Sequence, residues 1–331
     1  MKKYDVVSIG GATRDIIFYT DQGEVISTPQ DLTRQKMISF EYGAKLISRE
    51  VRFGTGGGGC NTAVCLSRLG LKTANFVAIG QDTEGERISA TLKEEGVETK
   101  FIETKKEVGT GFSLLVIDEK SKEHVAFLYR GANDKLELKN DLEKVNTDWF
   151  YMSSLSGKNW PMISDKVIQR IKGDGCHLAW NPGETQLQAG MKAIKDLLAY
   201  TKVLILNKDE SIELVLENKG KIKDIKKPEI LLKEIQSWGP DIFVLTDGRE
   251  GSYAYDGQKI YFSEILDTKV MDTTGAGDCF GSSFVAGLEM FKGDIDKSIK
   301  LGIYNTSSLV TKPGAQNGLL YKKDLKKYYK N

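Results

Sequence analysis

The residues best suited to chemistry form the run DTTGAGD at positions 272–278, which an apolar stretch follows. Three small residues, Gly275, Ala276 and Gly277, stand at the start of a predicted helix, where exposed backbone N–H groups and the helix dipole favour an anion. Asp278 follows directly and could accept a proton from a hydroxyl group beside a bound phosphate. This pattern predicts phosphoryl transfer with Asp278 as the base. An ordinary glycine-rich turn with a capping acid is the alternative.

A second glycine-rich run, GGGGCN at positions 56–61, precedes another predicted helix. Four successive glycines indicate that a ligand or another backbone segment comes very close. Together with Gly54, the run also satisfies the pattern G-x-G-x-x-G, so a nicotinamide-dependent dehydrogenase is an alternative. We disfavour it because residues 51–53 make a poor strand and the next acid, Asp82, lies beyond the place of the expected ribose contact.

Composition argues against several other classes of protein. The 331 residues include 47 Lys plus Arg and 46 Asp plus Glu, so the net charge of +1 offers no basic surplus for nucleic acid. No apolar run is long enough to span a bilayer, and the start does not resemble a signal peptide. Four cysteines without metal-ligand spacing and two histidines predict a reduced, cytoplasmic protein with neither a zinc site nor histidine catalysis.

The elements that must position these residues follow an α/β pattern. Short apolar strands alternate with helix-length segments, with strands predicted at residues 4–9, 73–79, 149–152, 177–181, 203–207 and 242–246. Such alternation indicates crossover connections and a mostly parallel central sheet with helices on both faces.

Two segments depart from this alternation. Residues 16–53 and 101–130 hold short β-like runs, including a hairpin predicted between 111 and 129. We expect them to form a small β-sheet lid over the acceptor, with a static extra sheet edge as the alternative. Residues 1–15, 54–100 and 131–331 then form the α/β domain that binds nucleotide and substrate.

Six landmarks in order resemble the ribokinase (PfkB) family of carbohydrate kinases. DTTGAGD resembles the C-terminal signature of the family and GGGGCN its N-terminal signature. The other four are GGATRD at 10–15, NKDE at 207–210, TDG at 246–248 and TKPGA at 311–315. The resemblance covers nearly the whole chain. It implies a ribokinase-like three-layer fold with a small β lid, and an ATP-dependent kinase that phosphorylates a hydroxyl of a sugar or sugar-like molecule.

The resemblance also implies a role for each matching residue. Asp278 resembles the catalytic base, and Gly275, Ala276 and Gly277 the anion hole. The residues that resemble contacts to the acceptor hydroxyls are Asp15, Gly57, Gly58 and Asn61.

On the nucleotide side, the residues that resemble ATP contacts are Asn207, Thr246 and Gly248. Glu210 resembles an acid that acts on Mg²⁺ through water, and Asp272 a residue beside a monovalent cation such as K⁺. In several members of the family the lid also forms a homodimer contact.

The acceptor stays open at this point. Ile303 stands where the family often has Asn, Gly58 where ribose-specific members often have Lys, and the segment between Asp15 and the glycines is long. A nucleoside kinase of the same family is therefore an alternative, as is a relative that binds sugar without catalysis. Arg130 could hold a phosphate of the acceptor or of ATP, or be a surface residue.

Overall fold

A computed structural model describes residues 3–27, 36–120, 124–139 and 142–329. The strands in chain order are β1 (Lys3–Ile9), β2 (Thr13–Thr20), β3 (Glu24–Ser27), β4 (Lys36–Ser39), β5 (Val51–Gly56), β6 (Thr73–Phe76), β7 (Ala78–Gly80), β8 (Glu103–Lys105), β9 (Gly111–Asp118), β10 (His124–Tyr129), β11 (Asn146–Met152), β12 (His177–Trp180), β13 (Val203–Asn207), β14 (Ile242–Thr246), β15 (Ser252–Tyr255) and β16 (Ile260–Ser263). The helices are α1 (Gly58–Arg68), α2 (Thr83–Glu94), α3 (Trp160–Asp174), α4 (Glu184–Gln188), α5 (Met191–Ala199), α6 (Lys208–Lys219), α7 (Pro228–Gln236), α8 (Ala276–Met290) and α9 (Ile295–Leu309).

The central sheet has eight strands in the order β16-β15-β14-β13-β12-β11-β1-β6. Neighbours from β6 to β14 pair in parallel, and β15 and β16 continue the sheet as an antiparallel hairpin. Val6 and Val7 in β1 are both fully buried but belong to different core clusters, because successive side chains point to opposite faces. Helices α3, α5, α6 and α7 pack on one face, and α1, α2, α8 and α9 on the other. The predicted three-layer α/β fold is confirmed.

A separate four-stranded sheet has the order β10-β9-β2-β5. Its strands come from both segments that we expected to form a lid, but β2 already begins at Thr13 and β5 extends to Gly56. Strands β3 and β4 form a two-stranded ribbon. The division into lid and main domain stays a prediction, and residues 28–35 and 121–123 of the expected lid lie outside the described part of the chain.

The single strand predicted over residues 73–79 is wrong. The chain forms β6, which pairs with β1, and then β7, which pairs with β8 in a two-stranded sheet. Both pieces and Val77 between them are buried, so burial is continuous along the run and only the distant pairing partners reveal the break. Within the described residues, no helix has the length and apolar character needed to cross a membrane.

Candidate active site

The predicted site residues gather at the edge of the central sheet where the parallel strands end. Asn207 ends β13 and is the register partner of Thr246, which ends β14. Ser153 follows β11, and its backbone N–H bonds to Ile9 at the end of β1. In open α/β sheets this edge is the usual place for ligands.

The start of α8 has the backbone shape required of an anion hole. Gly275 caps the helix with a φ of 74°, and an added Cβ would lie 2.7 Å from the Cβ of Ala315, so glycine is needed there. The amide of Ala276 donates to the carbonyl of Thr273 at 3.1 Å. The helix supplies no carbonyl for its next N–H groups, and a Cβ added at Gly277 would meet no atom within 4 Å. No atom therefore occupies the place where a side chain at position 277 would project.

Asp278 lies against the glycine run in space. Asn61 Nδ2 donates to Asp278 Oδ2 at 2.9 Å, across 217 positions of sequence. A Cβ added at Gly58 would lie 3.1 Å from Asp278 Oδ1 and 2.6 Å from Ser153 Oγ. The absence of a side chain at Gly58 thus keeps the second carboxylate oxygen approachable.

Burial raises the pKa of Asp278, and the hydrogen bond from Asn61 opposes that shift. A carboxylate whose pKa is raised towards the working pH is a better general base than an ordinary one. This electrostatic setting therefore suits proton abstraction.

Asp15 is a second acid of the site, and its side chain is buried. Its carboxylate accepts a hydrogen bond from Ser113 Oγ at 2.6 Å, and a Cβ added at Gly56 would lie 1.9 Å from its Oδ2. Burial raises the pKa of Asp15 to about 6, with the negative charges of Asp272 and Asp278 adding to the rise and Ser113 and Arg14 opposing it. Glycine at position 56 makes room for this acid.

A cleft of about 130 Å³ runs between the four-stranded sheet and the glycine run. Gly57 and Gly58 form part of its wall, and Arg130 is the charged side chain among its described lining residues. The full lining is Gly11, Thr13, Gly57, Gly58, Phe112, Leu128, Tyr129, Arg130, Asn133, Ser154 and Ser156. The cleft therefore has room for the acceptor that the glycines predict.

Asn207 and Glu210 form a reciprocal cap at the start of α6. Asn207 Oδ1 accepts from the Glu210 amide at 2.9 Å, and Glu210 Oε2 accepts from the Asn207 amide at 2.9 Å. Burial raises the pKa of Glu210. Gly248 follows β14 with a φ of 53° and is exposed. The NKDE pattern thus has a local structural role whatever it binds.

Asp272 ties two loops together. Its Oδ1 accepts from the Thr274 amide at 2.8 Å and from Thr274 Oγ1 at 2.6 Å, and its Oδ2 accepts from the Gly314 amide at 2.7 Å. Both carboxylate oxygens are therefore engaged by protein donors. Over the ranges that the structure describes, no three His, Cys, Asp or Glu side chains converge as a metal site.

Three site residues were not predicted from the sequence. Gln316 donates to Asn61 Oδ1 at 3.0 Å, Ser113 donates to Asp15, and Ser153 abuts Gly58. Gln316 directly follows the TKPGA motif, so proximity to a motif was a usable signal for it. Ser113 lies within β9 and Ser153 directly after β11, and neither sequence context carries such a signal.

Residues 54–59 match the dinucleotide-binding pattern in sequence but not in structure. The expectation that residues 51–53 make a poor strand is wrong, because they belong to β5, but this strand pairs antiparallel with β2 in the four-stranded sheet. A Rossmann fingerprint needs a parallel strand of a βαβ unit at that place. The geometry therefore opposes the dehydrogenase alternative.

Comparisons with known proteins agree with this arrangement. The model of the pfkB family of carbohydrate kinases matches residues 4–322. A sugar kinase of uncharacterised role from Archaeoglobus fulgidus is 28% identical over 256 residues, covering 77% of this chain and 97% of its own. A ribokinase from Haemophilus influenzae is 26% identical over 285 residues, covering 84% of this chain and 88% of its own.

Solved structures show the same fold at low sequence identity. A ribokinase from Arabidopsis thaliana, complexed with ribose and ATP, superposes with a TM-score of 0.79 at 20% identity over 100% of both chains. A nucleoside kinase from Burkholderia thailandensis, in complex with inosine, gives 0.80 at 14% identity, covering 98% of this chain and 97% of the other. With the family model matched across nearly the whole chain, this protein belongs to the pfkB family of carbohydrate kinases, ATP-dependent phosphotransferases that act on a hydroxyl group.

Proposed function

We propose that Asp278 is the base that removes the proton of an acceptor hydroxyl while the γ-phosphoryl group of ATP is transferred to its oxygen. The bond from the acceptor oxygen to phosphorus forms, the bond from phosphorus to the ADP oxygen breaks, and the proton passes to the carboxylate. The carrying observation is the meeting of Asp278 with the glycine run at Asn61 and Gly58. The group that takes the proton thus lies beside the cleft proposed to hold the substrate hydroxyl.

The amides at the start of α8 meet the negative charge of the transferring group in this proposal. The turn of Gly275, Ala276 and Gly277 presents them without side chains in the way, and the helix dipole adds to their attraction for an anion. Their positions are set by the protein before any ligand binds, so no reorganisation is needed during transfer.

Acceptor binding is assigned to the glycine run and to Asp15. Gly57 and Gly58 line the cleft, and the carboxylate of Asp15 suits vicinal hydroxyl groups. Asn61 also has protein partners, because its Oδ1 accepts from Gln316 and its Nδ2 donates to Asp278. We assign it mainly to holding the base, with its second Nδ2 hydrogen left for the acceptor.

Nucleotide binding is assigned to Asn207 and Thr246, which end two neighbouring strands, and to Gly248, which follows the second of them. Glu210 is assigned to a hydrated Mg²⁺, because a half-buried carboxylate at the nucleotide end can hold this ion through its waters. Mg²⁺ there would neutralise phosphate charge.

The proposed K⁺ site uses the loops that Asp272 joins. Both of its oxygens are engaged by amides and a hydroxyl, so backbone carbonyls of the loops must supply most ligands.

The four-stranded sheet has an apolar face suited to a homodimer contact. Phe53, Phe127 and Tyr129 are 60%, 56% and 53% exposed. Register places Phe53 beside Ile16, Ile16 beside Leu114 and Leu114 beside Phe127, so these side chains share one face. Open apolar surface of this kind marks interaction sites. We therefore propose that the lid pairs two copies of this chain.

The acceptor is proposed to be a sugar, in line with the sugar-kinase relatives, with a nucleoside as the second candidate. The aromatic rings of Phe112 and Tyr129 are register partners that line the cleft, and such rings can stack on a base. The free, buried cysteines support a reducing compartment, and we place the protein in the cytoplasm.

The deciding experiment measures ADP release from ATP and Mg²⁺ with a panel of sugars, phosphorylated sugars and nucleosides, with and without K⁺. Acceptor-dependent ADP release with at least one member of the panel is expected. Acceptor-dependent NADH oxidation without ADP release would overturn the proposal. A preference for nucleosides over every sugar would select the second candidate.

A further inference from the structure

Behind Asp278 lies a chain of buried side-chain hydrogen bonds. Gln316 Nε2 donates to Asn61 Oδ1 at 3.0 Å, and Asn61 Nδ2 donates to Asp278 Oδ2 at 2.9 Å. Gln316 and Asn61 are 8% and 5% exposed. Because water has almost no access to these amides, the loss of either bond would leave a buried polar atom unsatisfied.

We propose that Gln316 is a positioning residue, which holds the Asn61 amide in the orientation that presents Asp278 as an ionised base. The inference rests on the proposed role of Asp278. It adds a residue of the C-terminal segment to the machinery of phosphoryl transfer, although Gln316 does not touch the reacting atoms.

An amide side chain is asymmetric in its hydrogen bonding. Asn61 can accept a hydrogen bond only on its Oδ1 side and donate only on its Nδ2 side. With the Gln316 amide donating to Oδ1, the donor side of Asn61 must face Asp278. The flipped amide would set two acceptors against each other at Asp278, and only a protonated carboxyl could tolerate that contact. The observed direction of these hydrogen bonds therefore favours the ionised form of Asp278.

The backbone of Gln316 is held independently of this chain. Arg68 Nη1 donates to the Gln316 carbonyl at 2.6 Å. Arg68 itself is fixed by Glu95, with bonds of 2.8 and 2.6 Å to the two carboxylate oxygens. The side chains of this ion pair are only 11% and 21% exposed. Gln316 thus approaches α1 from a rigid anchor, which makes its side chain a defined donor.

Asn61 is the group that opposes the effect of burial on the pKa of Asp278. Among the described residues, the other titratable groups near it are Asp15 from β2, Tyr151 from β11 and Cys60 from α1, and burial raises the pKa of each, with the Asp278 charge adding to the rise. These neighbours are therefore negative or neutral and offer the carboxylate no positive partner. Burial raises the pKa of Asp278 while Asn61 lowers it, so weakening the Asn61 contact moves that pKa further up.

The test compares Gln316→Leu and Gln316→Glu with the wild type by steady-state kinetics from acid to alkaline pH. Gln316→Leu removes the donor at similar volume, and we expect kcat to fall about 10-fold near neutral pH while both KM values stay within about 2-fold. The fall of kcat on the acid side should move to higher pH, because the base must be ionised to act. Part of the lost kcat should therefore return as the pH rises.

Gln316→Glu reverses the direction of the hydrogen bonds that link positions 316, 61 and 278. A carboxylate beside Asn61 attracts Nδ2 and turns Oδ1 towards Asp278. We expect a larger loss of kcat than in Gln316→Leu and a further shift of the acid side. Gln258→Leu, an exposed glutamine in the turn between β15 and β16, is the matched control and should leave the pH profile unchanged.

The outcomes separate this inference from the proposed function. If Asp278→Asn is inactive but both Gln316 variants keep the wild-type kcat and pH profile, Gln316 has no positioning role. A loss of activity that follows the loss of folded protein in thermal unfolding, with no shift of the pH profile, also overturns the inference. An active Asp278→Asn would instead remove the proposed base.

Discussion

The acceptor end and the nucleotide end of the proposed site are built in different ways. At the acceptor end, Asn61 and Asp278 come from different helices and bond across 217 positions of sequence. At the nucleotide end, Asn207 and Glu210 are three positions apart and bond to each other as a helix cap. The first arrangement exists only in the folded chain, whereas the second forms with one turn of helix.

The two ends of the site should respond differently to substitution. Removing a partner at the acceptor end leaves buried polar atoms unsatisfied and alters the base. Removing a partner at the nucleotide end frees one helix terminus that water can reach, because Asn207 is exposed. Substitutions at the two ends should therefore separate into effects on kcat or the acceptor and effects on ATP.

The largest effect is expected for Asp278→Asn. Removing a general base lowers turnover by roughly 10²–10⁴-fold, while the neutral amide keeps the size of the side chain. Because the substitution lies at the acceptor end, the KM for ATP should change little. Steady-state kinetics with both substrates measures this. A variant that retains a third or more of the wild-type kcat would show that Asp278 is not the base.

The next effect is expected for Asp15→Ala. Loss of the carboxylate should weaken acceptor binding by about 1–3 kcal/mol, because the acceptor hydroxyls lose a buried partner. ATP affinity should be unchanged. Isothermal titration with each ligand tests both statements, and Ser113→Ala, which removes only the internal partner of Asp15, should have a smaller effect. A change confined to ATP would move Asp15 to the nucleotide end.

Asp15 also gives the acceptor affinity a pH dependence with a defined sign. The pKa of Asp15 is raised to about 6. As the pH falls through that value, the carboxylate gains a proton and becomes a weaker hydrogen-bond partner for the substrate hydroxyls. In the wild type the KM for the acceptor should rise below about pH 6, and in Asp15→Asn this rise should be absent. An identical pH profile in both proteins would contradict the assignment.

A smaller effect is expected for Asn207→Ala at the nucleotide end. The loss of the cap should destabilise the protein by about 0.5–2 kcal/mol. The KM for ATP should rise a few-fold with the KM for the acceptor unchanged. Denaturant unfolding and kinetics provide the two readings. Asp294→Ala, which removes the cap of α9, matches the stability change away from the site and should leave KM for ATP unaltered. If both variants alter KM for ATP equally, Asn207 acts only as a cap.

The smallest effect concerns the four-stranded sheet. If it closes over the acceptor as a lid, amides of residues 13–20 and 111–118 should exchange hydrogen more slowly when acceptor is added, and ATP alone should do much less. Hydrogen exchange followed by mass spectrometry measures the difference. Equal protection with and without acceptor would leave the sheet as a static part of the site.

Much of the architecture was determined by the sequence alone. The alternation of apolar strands with helix-length segments depends on local periodicity, which is why the three-layer fold and most strand positions could be predicted. The two glycine motifs mark the starts of α1 and α8 because glycine readily adopts the positive φ values of Gly57 and Gly275, 86° and 74°. The cap between Asn207 and Glu210 joins residues only three positions apart, so it too depends on local sequence.

The tertiary structure alone decided the partners of the buried polar groups. Nothing in the local sequence relates Gln316 to Asn61, which are 255 positions apart, or Ser113 to Asp15, which are 98 apart. Likewise, no local pattern indicates that residues 73–79 divide between two sheets. A hydrogen bond between distant side chains leaves no periodic trace in the sequence, since it depends on which elements the packing of the core brings together. The acids could thus be found from their motifs, but the residues that hold them could be found only in the fold.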